Sequence, residues 1–523
     1  MRYSQSINRW NFTLGDYKCK VVIPHTWNTD DEVMKYRGTA TYETKVYIDD
    51  SNRSRNAFLT FNAVYHTAAV FVNGKPVGTH TGSGFTPFRL NITDAVIWGA
   101  DNSIRVEVDN THIDTMLPHG DDFDWSDDGG IIRRVTLELL ESGAIEYAHI
   151  TEEIESMKDG LGCGTLHITT NTSAPCKVKL YDYATGALVL TSSSLTIPFK
   201  NLKLWSCYTP SLYTVTIESA GDIYETRIGI RKIETKGTKV YLNGEEIYLK
   251  GCEWMPGSHP DFGMAEPLDH SIRCLRMLKA AGCVFTRFHW QQDDTLFDWC
   301  DENGLLVQEE IPYWGYPKEA TSLQYEIAAR QADEMMMFHF NHPSIVCWGV
   351  GNELGADKEP TIDYVKNIIR YFKEKDSRRL VNYVSNTLSL VTTIGKDDAT
   401  LYGDIAMWND YLGLWEPTDN IPEHMKRTCL KASDKPLLVS EFGLCEPHFK
   451  GGDSERSRIL SERLALYKGF DNICGYMWFS LNDYRTHCGE EGADNMRRRV
   501  HGSSDLYGNS KPSYELLRKY QCE

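Results

Sequence analysis

Two glutamates close apolar runs of the same kind. Glu353 ends "CWGVGNE", residues 347–353, and Glu441 ends "PLLVSE", residues 436–441, 88 positions further on. Two carboxylates that face each other at about 5–5.5 Å can cleave an acetal in two displacements. One protonates the leaving oxygen and later deprotonates water, while the other attacks the anomeric carbon. Burial and a like charge nearby supply the raised pKa that an acid/base glutamate needs. A single glutamate at a strand end is ordinarily a solvated loop residue. Two at matching ends, with Asn352 directly before one of them, argue for function. The sequence holds no G-x-S-x-G elbow and no glycine-rich phosphate loop, so an acyl-transfer serine and a nucleotide cradle are not expected.

Chemistry at strand ends needs strands that converge. From residue 233 onward, short apolar runs alternate with stretches of helical period such as "HSIRCLRMLKAAG". Eight runs read as strands: "YLKGCEW", "VFTRFHW", "LLVQEEIP", "SIVCWGVGNE", "RLVNYVS", "DIAMWNDY", "PLLVSEFG" and "ICGYMWFSLNDY". Eight parallel strands with intervening helices predict a (β/α)8 TIM barrel, whose chemistry sits at the C-terminal strand ends. Those ends collect Glu253, Arg287, His289, Glu309, Glu310, Asn352, Glu353, Asn386, Asn409, Tyr411, Glu441, Trp478 and Asn482. Carboxylates, amides and tryptophans together suit a sugar, whose C–H face packs on an aromatic plane while its hydroxyls take polar partners. Glu309, Glu310 and His289 match no metal-ligand spacing, so no metal or other cofactor is expected.

The remainder reads as β structure. In residues 1–142, "RGTATYETKVYI" and "NSIRVEVDN" alternate polar and apolar, and Asn73-Gly74 marks a hairpin turn. An antiparallel sandwich follows. Residues 143–232 continue with about seven short strands, as in an immunoglobulin-like sandwich. A chain of 523 residues with 41% hydrophobic and 24% charged residues is an ordinary globular composition. Its formal charge of −18 argues against nucleic-acid and anionic-membrane partners. No run reaches the roughly 20 apolar residues of a membrane span, and the first residues show no apolar signal core. The 14 cysteines are scattered without C-x-x-C pairs, which reads as buried thiols in a reducing compartment, the cytoplasm.

At these residues the sequence resembles glycoside hydrolase family 2, the family of β-galactosidases, β-glucuronidases and β-mannosidases. The likeness runs through "VVIPHTWN", "AVFVNGKPVGTHTGSGFTPFRLNIT", "GGIIRRV", "VYLNGEEIYLKGCEWMP", "HNHPSIVCWGVGNELG", "LVSEFG" and "GSSDLYGNSKPSYELLRKY", in the family's order. It implies a jelly-roll sugar-binding-like domain, an immunoglobulin-like sandwich and a catalytic barrel. It implies Glu353 as general acid/base and Glu441 as nucleophile. It further implies that Asn352 holds the sugar 2-hydroxyl, that Tyr411 hydrogen-bonds the nucleophile with Asn409 in the same stretch, and that Trp478 walls the −1 subsite. Asp124 would enter the pocket from the first domain, and Arg287 and His289 would line it.

The departures bear on the sugar. The second strand reads "TRFHWQQ", which puts His289 one position early. The Asn-x-Lys motif of β-glucuronidases is absent, and "NMRRR", Asn495 to Arg499, stands in that region. Arginines there suggest a uronate carboxylate as ligand. Charge runs are more often solvated, and neighbouring side chains cannot all face one pocket. The expectation is therefore a retaining exo-β-glycosidase acting on a neutral, galactose-like sugar in small glycosides or oligosaccharides. The alternatives are a β-glucuronidase or β-galacturonidase using Asn495, Arg497, Arg498 and Arg499, and a non-catalytic carbohydrate-binding relative. A homodimer or tetramer is expected by analogy with the family.

Overall fold

The structure is a computed structural model that describes residues 2–119, 123–315, 317, 319–390, 397–491 and 497–522. Alternating residues of the first segment form two packed antiparallel sheets. One has six strands in the order Tyr17–Val22, Arg9–Leu14, Thr39–Ile48, Ala100–Asp109, Thr67–Val72, Lys75–His80. The other has four, in the order Tyr3–Ser6, Val135–Glu141, Arg55–Phe61, Phe88–Asn91. Ala40, Tyr42, Val46 and Ile48 alternate inward along one long strand and bury against Leu59, Phe61 and Leu137 of the facing sheet. The hairpin at Asn73-Gly74 is present, with φ of 51° and 77°. Both values are positive, as a two-residue primed turn requires.

Seven strands between Ala148 and Ile228 make the second sandwich, three in one sheet and four in the other. Its core is mainly aliphatic, with Ile150, Leu166, Val215 and Ile217 buried beside the aromatic Phe199. A small three-stranded sheet, residues 233–247, leads into the barrel.

The barrel strands are β1 (Leu249–Glu253), β2 (Phe285–Phe288), β3 (Leu306–Glu310), β4 (Ile345–Asn352), β5 (Leu380–Ser385), β6 (Ala406–Asn409), β7 (Leu437–Glu441) and β8 (Ile473–Phe479). They are parallel and closed, with β8 pairing back onto β1 through Leu249–Gly475 and Gly251–Met477. Every residue of β2 to β8 is buried, which is why these segments read as unbroken apolar runs rather than alternating ones. Helices cover the outside. Among the described residues, β5 and β6 are joined by a 3-10 turn, Ala399–Tyr402, in place of an α-helix. No helix among the described residues is long and apolar enough to cross a membrane.

The first sandwich docks against the barrel mouth. Arg485 beyond β8 forks onto Asp128 at 2.5 and 3.1 Å, and Asn62 donates to Asp294 at 3.0 Å. These ties bring residues 123–128 to the strand ends.

Candidate active site

β4 is apolar through Val350 and then leaves the barrel. Gly351 has φ 144°, and Glu353 has φ 53°, a left-handed conformation that costs a non-glycine residue about 1 kcal/mol or more. Two backbone bonds hold the bend. Asn352 N–H donates to Tyr313 O (2.9 Å), and Glu353 N–H donates to Val384 O (3.0 Å). The strain directs a carboxylate into a cavity of about 480 Å³ at the C-terminal strand ends.

Glu353 and Glu441 both line this cavity. Each carboxylate receives two donors of different character. Trp314 Nε1 donates to Glu353 Oε2 (3.0 Å), and Asn409 Nδ2 donates to Glu353 Oε1 (2.6 Å). On the other side, Arg287 Nη1 donates to Glu441 Oε1 (3.0 Å), and Tyr411 Oη donates to Glu441 Oε2 (3.0 Å). Asn409 also donates to Asn352 Oδ1 (3.4 Å) and accepts from Ser440 Oγ (2.8 Å), which fixes its amide.

Burial pushes the Glu441 carboxyl well above its usual range, and the charges of Glu353 and Glu253 push it further. Arg287 opposes this. Its guanidinium is fully buried, yet Glu310, Glu253 and Glu441 outweigh the cost of burial and hold it charged. Glu310 accepts from Arg287 Nε (2.9 Å) and Nη2 (2.8 Å), a bidentate clamp. Burial, then the negative charge of Glu441, raises the Tyr411 phenol, so it stays protonated and donates. His289 Nε2 lies 2.8 Å from Glu253 Oε1 and 3.6 Å from Glu441 Oε1.

One end of the cavity is built by the first sandwich and by the chain after β8. Asp124 accepts from Tyr484 Oη (3.0 Å), Thr486 Oγ1 (2.9 Å) and Arg499 Nε (3.2 Å). His501 stacks on Tyr484, and burial pulls its imidazole down to about 3, so the ring is neutral. Trp125 and Phe479 complete the wall beside His289.

The sequence-expected residues Glu353, Glu441, Asn352, Asn409, Tyr411, His289 and Asp124 all line the cavity. Arg287 lies behind Glu441, fully buried, and is not part of the lining. Trp478 is a correction. It is not among the lining residues. Its ring packs on Phe442 in the barrel core, and Nε1 donates to Ser503 Oγ (2.8 Å). Strand residues alternate in direction, so the wall comes from the next residue, Phe479. Of the arginine run, only Arg499 lines the cavity. Arg498 is half-buried outside the lining, as strand alternation from Arg499 requires, and Arg497, two residues before Arg499, is exposed outside it. Asn495 lies outside the described residues. Sequence reasoning missed Trp314, Phe479, His501 and Glu416. The Arg499-x-His501 spacing was the one available signal, since period two puts both on one face.

Two groups among the described residues bring metal-type ligand atoms within 4.8 Å of one another: Glu253, His289 and Glu441, and Asp298, Asp301 and His342. Both already contain a guanidinium. Arg287 Nη1 is 3.5 Å from Glu253 and 3.0 Å from Glu441, and Arg227 Nη2 is 2.6 Å from Asp298. The positive charge a metal would bring is supplied by arginine in each.

Three family models match end to end: the glycosyl hydrolases family 2 sugar binding domain over residues 9–140, glycosyl hydrolases family 2 over 132–231, and the family 2 TIM barrel domain over 233–472. The chain belongs to glycoside hydrolase family 2. It is a glycoside hydrolase, and enzymes of this family retain anomeric configuration. It is 28% identical to a β-glucuronidase of Bacteroides fragilis over 483 residues, covering 83% of this chain and 67% of the relative. It is equally 28% identical to a β-galactosidase of Thermoanaerobacterium thermosulfurigenes over 528 residues, covering 93% and 70%. The fold matches that of a β-glucuronidase from an uncultured Clostridium species with a TM-score of 0.89 at 22% identity, covering 100% of this chain and 98% of that one.

Proposed function

We propose that this glycosidase removes a terminal β-linked neutral sugar, galactose-like, by double displacement, with Glu441 as nucleophile and Glu353 as general acid/base. The carrying observation is the asymmetry of donors. Glu441 is held by a guanidinium and a phenol, Glu353 by an indole and an amide. The cation of Arg287 and the phenol of Tyr411 oppose the effect of burial and favour the negative charge that Glu441 needs as nucleophile. Glu441 then attacks the anomeric carbon while Glu353 gives its proton to the departing oxygen. Water, deprotonated by Glu353, breaks the glycosyl ester and restores Glu441. Asn352 is positioned to bind the 2-hydroxyl, a contact that strengthens as the ring approaches an oxocarbenium ion.

Asp124 supports the neutral sugar. It puts a carboxylate, an acceptor for hydroxyls, at the end of the cavity where a uronate would need net positive charge. Its ion pair with Arg499 offsets the one arginine of the run that lines the site. Arg499 itself favours a second reading, a β-glucuronidase or β-galacturonidase in which the substrate carboxylate displaces Asp124 from the guanidinium. Relatives named for both neutral and acidic sugars are equally similar. A panel of p-nitrophenyl β-galactoside, β-glucuronide and β-galacturonide decides between them. The neutral-sugar reading predicts the highest kcat/KM on the galactoside, and turnover of uronides alone overturns it.

The thirteen free thiols among the described residues, most of them buried, support a reducing compartment such as the cytoplasm. A homo-oligomer belongs to the same reading by analogy with the family, and light scattering on the purified chain tests it.

A further inference from the structure

The double displacement employs one end of the cavity and leaves the other unassigned. On the segments that follow β5 and β6, whereas Asp124 is tied to the chain after β8, the lining is Asn386, Thr387, Leu390, Trp415 and Glu416. Trp415 and Glu416 stand on the turn that follows β6. Gly413 N–H donates to Glu416 O (2.7 Å), and Glu416 N–H donates to Tyr411 O (3.2 Å), which ties the turn to the residue that holds the nucleophile. Trp415 is 46% exposed, a high value for so large an apolar side chain. His448 stacks on it with centroids 4.2 Å apart and planes at 30°, and Phe449 meets it edge-on at 4.8 Å. The indole is thus held in place with open surface at the cavity.

Glu416 is fixed as firmly. Ser389 Oγ donates to its carboxyl and accepts from Trp408 Nε1 (3.1 Å). Burial pushes the Glu416 carboxyl to about 7, with Asp410 and Glu353 adding to the rise. Near neutral pH it therefore offers both a donor and an acceptor. Glu416 lines the same cavity as Glu353, the group that protonates the leaving oxygen.

We propose that Trp415 and Glu416 form the leaving-group subsite, and that it takes a second sugar ring rather than a flat apolar aglycone. A pyranose presents a C–H face to an indole and hydroxyls at its rim, and a rigid tryptophan beside a carboxyl and the Asn386 amide matches both. A flat apolar ring would cover Trp415 but desolvate Glu416 with no new hydrogen bond, an unfavourable exchange. The natural substrate is then a disaccharide or the non-reducing end of an oligosaccharide. This inference rests on Glu353 acting as the acid, because that is what makes the neighbouring space the leaving-group side.

The test compares kcat/KM on a disaccharide carrying the preferred glycone with kcat/KM on the glycosyl fluoride of that glycone. Fluoride has no ring to stack and departs without a proton. Trp415→Ala and Glu416→Ala should each lower the disaccharide-to-fluoride ratio about tenfold, the size expected from losing one stacking or one polar contact. Ratios within about twofold of wild type in both variants overturn the subsite. A fall in Trp415→Ala with none in Glu416→Ala overturns the sugar assignment in favour of a flat aglycone. Failure of the underlying acid assignment looks different, since Glu353→Ala would then cleave the disaccharide at the wild-type rate. Thermal melts of each variant separate a subsite effect from misfolding.

Discussion

Arg287 Nη1 lies 3.0 Å from Glu441 Oε1, and the same guanidinium is forked onto Glu310. The proposed nucleophile is therefore oriented by a buried cation that is itself oriented by another carboxylate. Arg287→Lys keeps the charge and loses the fork. It should lower kcat by about one to two orders of magnitude with a smaller effect on KM, because the displaced contact serves the reacting carboxylate rather than the ground-state sugar. A wild-type kcat in a folded Arg287→Lys enzyme would remove Arg287 from the mechanism.

Glu441 sits in a place that favours its neutral form. Its folded-state pKa is raised by burial and by Glu353 and Glu253. A carboxyl shifted upward contributes stability at low pH, and that contribution is lost as pH rises through the folded-state pKa. At neutral pH the ionised nucleophile thus costs stability. Glu441→Gln should abolish turnover and raise Tm by roughly a few degrees near pH 7, with the gain shrinking at acid pH. The same shift sets the acid limb of wild-type kcat/KM. It should fall as Glu441 is protonated, with a midpoint above the ordinary glutamate value of about 4.3. Unchanged or lower stability of the glutamine variant at pH 7 contradicts the sign.

Glu353 is assigned by what it protonates. Glu353→Ala should cost several orders of magnitude on substrates with poor leaving groups and far less on a 2,4-dinitrophenyl glycoside, whose leaving group needs no proton. Azide should restore activity and give a glycosyl azide of retained configuration. Equal losses on both leaving groups count against the role.

Much of this was readable in advance. All eight barrel strands appear where the apolar runs lie, because a strand buried on both faces leaves no polar alternation to confuse the reading. Glu353 and Glu441 were legible for the same reason, as carboxylates at the ends of such runs. Trp478 was misjudged because a fully apolar strand carries no phase: nothing in "MWFS" says which residue faces the pocket. Trp314 comes from a loop, so its approach depends on tertiary packing, while Asp124, from another domain, was expected only through the family resemblance and does line the cavity. The arginine run carried its own answer in part, since alternation separates Arg498 from Arg499, but nothing in the run says that Arg499 rather than Arg497 lines the cavity.

The guanidinium within the Glu253–His289–Glu441 group supports metal-independent catalysis. Activity after dialysis against EDTA, with no gain on adding Mg2+, Mn2+ or Zn2+, is the expected result. Loss with chelator and recovery with one ion would assign that group to a metal instead.

The most direct measurement is to trap the covalent intermediate. A 2-deoxy-2-fluoro β-glycosyl fluoride of the preferred sugar slows both steps and lets the ester accumulate. Mass spectrometry of the digested enzyme should then find one glycosyl adduct, on Glu441 within "PLLVSEFG". A label on Glu353 or on another residue, or turnover with no adduct at all, would contradict the account.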